Sequence, residues 1–233
     1  DYIYGTTRAL DFGDYHGTLD KKKAMWEHAV NKNADLFNYD ELIDNHPDMG
    51  TPRYLSFRKA AMYKDHQSQS LANSIGLIFD AYMVKTAYDD MHITTLFGID
   101  KLKEPTIARL LLNFPERVPV SMGCSIKSSS CTVCGHEIKN DMDFCDHLRY
   151  SRGGRREGKK VAELLKGIDF YELSVVNTPA CATAYVIDTV AEILPGRLLK
   201  IAAEATEGTT IMQVMATVHR MIKEASSMER KKA

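Results

Sequence analysis

No run of apolar residues in this chain approaches the roughly 18 that a membrane-spanning helix needs. Nor is there an excess of either charge: 30 Lys and Arg stand against 31 Asp and Glu, a formal net charge of −1. The first absence argues against a helical membrane span, and the second gives the whole molecule no electrostatic pull toward nucleic acid or a lipid surface. There is no secretory signal pattern, no internal repeat, and no low-complexity segment beyond one short basic loop. H-E-x-x-H is missing, which weakens the case for a soluble zinc-dependent hydrolase. The five cysteines are odd in number and three cluster with histidines. Metal ligation in a reducing compartment, the cytosol by default, therefore fits better than a disulfide framework.

What is present is 233 residues, 44% hydrophobic and 26% charged, enough for one large domain or two small ones. A strand and a Gly/Asp-rich loop are expected over 1–20, and helical periodicity over 21–48 ends at Pro47. Residues 75–100 suggest two strands joined as a hairpin at "AYDD", and 104–114 a short helix with Pro105 in its first turn. "VPVSMGCSI" (118–126) is a β-branched strand bearing Ser121, and "IDFYELSVVNTPACATAYVID" (168–188) a strand, a Pro turn and a further extended or helical piece. The remaining tail suggests two helices broken at "EGTT", with an apolar stripe of Val214, Met215, Val218, Met221 and Ile222 in the second. Strands first and helices last argue an α+β fold.

Cys131-x2-Cys134 followed by Gly135 has the shape of a zinc knuckle: two thiolates can chelate one ion, and the glycine permits the tight turn behind them. Cys145 offers a third ligand, while His147 and His136 compete for the fourth place. His147 lies two residues from Cys145 and cannot share a helix face with it, so that segment must be extended or entering a helix. His136 would strain to fold back onto the same ion. The favoured set is Cys131, Cys134, Cys145 and His147 around zinc, since a redox Cys-x2-Cys leaves the third cysteine and the histidine unexplained. Four protein ligands close the coordination sphere, which makes such a metal a structural staple.

Chemistry would then lie elsewhere. Ser121 sits in a strand with Gly123 two residues on, where small residues let a substrate backbone approach closely. A serine needs a base, and spacing alone does not choose between His66, ahead of a polar loop, and His92, in a strand.

The order of segments resembles the prohead (capsid maturation) serine proteases of tailed bacteriophages, which are similar to the herpesvirus assemblin fold. The resemblance spans about residues 1–190 and rests on three motifs: His66 ahead of Ile75-Gly76, Ser121-Met122-Gly123, and Glu172-Leu173-Ser174-Val175-Val176-Asn177-Thr178-Pro179-Ala180. It implies a small assemblin-like β-barrel surrounded by helices, with a zinc-knuckle insert over about 127–148. A C-terminal helical segment, 191–233, would pack on the same domain. It further implies an endopeptidase with Ser121 as nucleophile, His66 as general base and an acidic third member. Glu172 is preferred for that place, with Asp65 as the fallback; in the herpesvirus relatives it is a histidine. A Cys/His insert known in some members favours His147 over His136. Ser174 is expected to be a packing residue. Capsid and scaffold proteins would be the substrates, inside the prohead in the host cytoplasm, and the protein is expected to be a homo-oligomer with no membrane partner.

The loop "RYSRGGRREGKK" (149–160) carries six basic residues and one acid. It is expected to be a solvated loop, and a role with nucleic acid stays open. The rival expectation is a catalytically inactive, zinc-stapled virion or nucleic-acid-binding protein of the same fold.

Overall fold

The computed structural model describes residues 2–19, 26–85 and 91–190. Its strands are β1 (Tyr2–Asp11), β2 (Asp35–Leu36), β3 (Ala61–Lys64), β4 (Gly76–Lys85), β5 (Met91–Asp100), β6 (Val120–Ser125), β7 (Ser128–Cys131), β8 (Glu137–Ile138), β9 (Arg155–Arg156), β10 (Lys159–Lys160), β11 (Glu163–Lys166), β12 (Asp169–Val175) and β13 (Val186–Val190). Three short helices accompany them, α1 (Tyr39–Ile43), α2 (Pro105–Asn113) and α3 (Asp146–Ser151). The fold is α+β and mostly sheet.

A seven-stranded sheet in the order β13-β1-β5-β4-β3-β12-β6 dominates. Every neighbouring pair is antiparallel except β3 and β12, which run parallel. The sheet curls into a half-barrel. At one end its outermost strands touch: Val120 N–H donates to the Ala184 carbonyl, and Val186 N–H to that of Val118, both at 3.0 Å. Strand β5 is buried along almost its whole length, as a strand covered on both faces must be, whereas β4 carries exposed residues such as Leu77 and Phe79. The core centres on Ile3, Phe12, Ile93, Phe97, Phe170 and Leu173, and Phe170 stacks on Phe57 with centroids 4.1 Å apart and planes 9° from parallel.

A second sheet, β2-β11-β7-β8, is entered from β6 through the two residues that separate it from β7. Its outer part, beside the hairpin β9–β10, owns a core of only four buried residues: Cys131, Ile138, Leu148 and Val161.

One expectation changes. The long helical segment over 21–48 shrinks, among its described residues, to a 3-10 turn at Glu27–Ala29, the two-residue β2 and the five-residue α1. Asn and Asp recur through this stretch and favour turns over helix interiors; Asn31, for example, accepts from the Asn33 and Asp35 N–H groups in place of a helical ladder. Helices are few among the described residues, and none there exceeds nine residues. Both strands of the expected hairpin form and pair antiparallel, while its "AYDD" turn lies outside the described residues, as do the C-terminal helices and their apolar stripe.

Removing the ring that joins β12 to the core should be costly. Phe170→Ala is expected to destabilise the domain by about 3–5 kcal/mol, measured as a lowered urea midpoint with unchanged slope.

Candidate functional site

Across the β12–β6 ladder Glu172 stands opposite Gly123 and Ser174 opposite Ser121. Alternate residues of a strand share a face, so these four lie together, while Leu173 and its partner Met122 turn to the apolar side. Glu172 is 2% exposed and Ser174 fully buried. Gly123 makes room for this arrangement. A Cβ there would sit 2.6 Å from both Cγ and Oε1 of Glu172, so the carboxylate occupies the space that any other residue would fill. The glycine thus serves the glutamate, where close approach of a substrate was the expectation.

On the other side of β12, β3 leads into a turn at residues 64–67, closed by Gln67 N–H to the Lys64 carbonyl at 3.0 Å. Its central residues, Asp65 and His66, have φ of 48° and 57°. Positive φ at both central positions is the type I′ geometry; Asp and His are among the non-glycine residues that adopt it most readily, though at a cost. A bond from Asp65 N–H to the Val175 carbonyl (2.9 Å) ties the turn to the end of β12. The imidazole is thereby brought over the strand, and His66 Nδ1 lies 2.6 Å from Glu172 Oε1. The other carboxylate oxygen, Oε2, accepts from the Ser174 hydroxyl at 2.7 Å. His66 Nε2 and the Ser121 hydroxyl have no hydrogen-bond partner among the described residues.

The His66 ring is thus paired with Glu172 and not with adjacent Asp65. His92 lies on β5, opposite Asp11 and Val84, with β4 and β3 between it and β12. Ser121 is 8% exposed and borders a crevice of about 10 Å³ that is also lined by Asp11, Phe37, Ala180 and Cys181. Ala180 is the last residue of the "ELSVVNTPA" stretch, so both ends of that motif reach the neighbourhood of Ser121. A wider cleft of about 480 Å³, lined by His16, Asp40, Glu41, Asp44 and Lys166, contains none of these residues.

The second cluster is the Cys/His group. Donor atoms of Cys131, Cys134, Cys145 and His147 all lie within 4.8 Å of one another. Cys134 Sγ is 3.6 Å from Cys145 Sγ, and His147 Nδ1 is 4.0 Å from Cys145 Sγ. Metal–sulfur bonds of about 2.3 Å in a tetrahedron set neighbouring sulfurs roughly 3.8 Å apart, so the group is spaced to hold one metal ion. The knuckle turn is built as the ligands require: Gly135, at φ 71°, donates its N–H to the Cys131 carbonyl, and Val133 N–H points at Cys131 Sγ from 3.4 Å. Cys145 is extended at the N-cap of α3, and His147 falls in the first turn of that helix.

Burial pushes the Cys131 thiol up to about 11. At Cys145 burial also raises the pKa, but the Leu148 N–H and contacts with Cys134, Cys131 and His147 outweigh it and bring the thiol down to about 7. His136 faces away, its Nε2–H donating to the Asp143 carbonyl at 2.8 Å.

Two residues in these clusters were not expected from the sequence. Ser174 holds a carboxylate oxygen; a serine two positions after a glutamate in a strand shares its face, which is the signal that could have found it. Glu157, at the β9–β10 turn, places Oε1 3.6 Å from His147 Nε2, on the ring edge away from the thiols. No local pattern links those two.

Elemental analysis of purified protein is expected to find one metal ion per chain. Cys131→Ser and His147→Ala should each reduce that content, and His136→Ala should leave it unchanged. The chain was compared with protein-family models, with curated proteins and with solved structures, and none of the three comparisons found a match.

Proposed function

We propose that this protein is a serine endopeptidase in which Ser121 is the nucleophile, His66 the general base and Glu172 the residue that orients and charges the histidine. The observation that carries this reading is the 2.6 Å contact between His66 Nδ1 and the buried Glu172 carboxylate, on a carboxylate that shares its sheet face with Ser121. A carboxylate on one ring nitrogen fixes the tautomer and leaves the other nitrogen as the base. Nε2 is the nitrogen left over here.

In the proposed reaction Ser121 Oγ attacks the scissile carbonyl carbon while His66 Nε2 takes the hydroxyl proton. The imidazolium, stabilised by Glu172, then delivers that proton to the departing amine, and water hydrolyses the acyl-enzyme by the same route in reverse. Glu172 remains a carboxylate throughout. The substrates proposed are capsid and scaffold proteins of an assembling phage head, and the protein itself. That part rests on the resemblance of the three motifs to prohead proteases, together with a curled sheet compatible with an assemblin-like barrel.

The metal proposed for the Cys/His cluster is zinc, in a structural role. Three thiolates and an imidazole are a common zinc donor set, and four protein ligands leave no position for water. When bound, it would supply cross-linking of the β7–β8 turn to α3, in a region with four buried residues of its own. The basic residues of β9 and β10 beside the cluster favour a second reading, a nucleic-acid-binding virion protein without protease activity.

Cleavage separates the two. Wild-type protein incubated with its candidate scaffold or capsid protein is expected to yield discrete fragments on a gel. Ser121→Ala should lower the rate at least about a thousandfold. Equal cleavage by both proteins, or none by the wild type on a substrate shown to be processed in mature heads, would remove the protease reading.

A further inference from the structure

We propose that Ser174 is a positioning residue for the His66–Glu172 pair, an inference that rests on the protease reading and assigns a further residue to its machinery. Glu172 lies almost out of contact with solvent, and a buried carboxylate is tolerated only when its oxygens are satisfied. Each oxygen has one hydrogen-bond partner among the described residues, His66 Nδ1 on Oε1 and the Ser174 hydroxyl on Oε2. The terminal torsion of a glutamate is broad and roughly two-fold, so the backbone alone does not set the plane of the carboxylate. Two contacts do. Gly123 forms the floor, with no Cβ to lift the group, and Ser174 pins the far oxygen. With Oε2 pinned, Oε1 is directed at the imidazole.

Ser174 suits this task and no other at the site. It is fully buried, so it offers no surface to a peptide, and its single proton is committed to Glu172. It stands opposite Ser121, with Cβ atoms of such a pair about 5 Å apart. The two serines on neighbouring strands therefore divide the labour: Ser121 presents a hydroxyl without a partner among the described residues, and Ser174 spends its own on the carboxylate.

The test uses the full chain and diisopropyl fluorophosphate, which phosphorylates an activated serine with loss of fluoride and needs no knowledge of the substrate. The rate of Ser121 labelling is followed by intact mass in the wild type, Ser174→Ala, Ser174→Thr, Glu172→Gln and the Ser174→Ala/Glu172→Gln double variant. Ser174→Ala should slow labelling about 10- to 100-fold, the scale of one hydrogen bond to a charged group. Ser174→Thr, which keeps the hydroxyl, should recover most of the rate. In the Glu172→Gln background the Ser174→Ala change should add little, because the group it positions has already been altered. A purely structural role would slow both backgrounds equally, and that result, or an unslowed Ser174→Ala, overturns the proposal.

The same proteins report independently on His66 by proton NMR. The Nδ1–H of a 2.6 Å bond to a carboxylate should resonate far downfield in the wild type, vanish in Glu172→Gln and move upfield or broaden in Ser174→Ala. If wild-type Ser121 is not labelled, the nucleophile assignment falls, and the resonance alone decides the role of Ser174. An unchanged resonance in Ser174→Ala overturns it.

Discussion

A carboxylate buried at 2% exposure is the constraint around which this sheet is arranged. Desolvating an unpaired carboxylate costs several kcal/mol even after relaxation, so Glu172 cannot occupy β12 unless neighbouring strands supply partners. Each neighbour contributes. Strand β6 gives the glycine that admits the side chain, β12 gives the hydroxyl two residues along, and the turn after β3 gives the imidazole. The parallel pairing of β3 with β12 matters to this result. It sets the C-terminal ends of both strands side by side, so the turn leaving β3 emerges where β12 can hold it through Val175.

What could be seen in the sequence divides by distance along the chain. The β-branched strand around Ser121, the pair of strands over 75–100 and the helix after Glu104 were legible, because their patterns are local and propensity agrees with tertiary demand. The Cys-x2-Cys turn was legible for the same reason. The segment 26–48 was not: its apolar spacing suits a helix, but the Asn31 side chain claims backbone N–H groups that a helix would use, those of Asn33 and Asp35. Periodicity did not separate His66 from His92, since the contact that sets His66 apart, with Glu172, spans 106 residues. The bond from Ser174 to Glu172 was not visible either, because a hydroxyl in a buried strand and one bonded to a carboxylate look alike in one dimension.

The two clusters are joined by more than chain order. Ile126 and Lys127 alone separate β6 from β7, and β7 ends at Cys131. The strand that presents Ser121 therefore runs almost directly into the strand that presents a thiol. Buried Ser129 donates to Glu163 at 2.7 Å, and Arg152, close to the second half of the Cys/His group, is paired with both Glu163 and Asp35. A metal ion held by the Cys/His group would thus stiffen the continuation of the serine strand without supplying any atom to the His66–Glu172 pair.

The left-handed turn at Asp65 and His66 has a bearing on timing. Taken alone, the turn is a poor conformation for two non-glycine residues, and its stabilising bonds to Val175 and Glu172 come from the far end of the domain. A ribosome releases His66 first, then Ser121, and only after both the strand that fixes the imidazole. Until β12 has emerged and inserted between β3 and β6, the histidine has neither its backbone tether nor its carboxylate, and the serine strand lacks its neighbour. Assembly of the His66–Glu172 pair therefore waits for β12, and a nascent chain that ends before it carries His66 and Ser121 without the contacts that hold them.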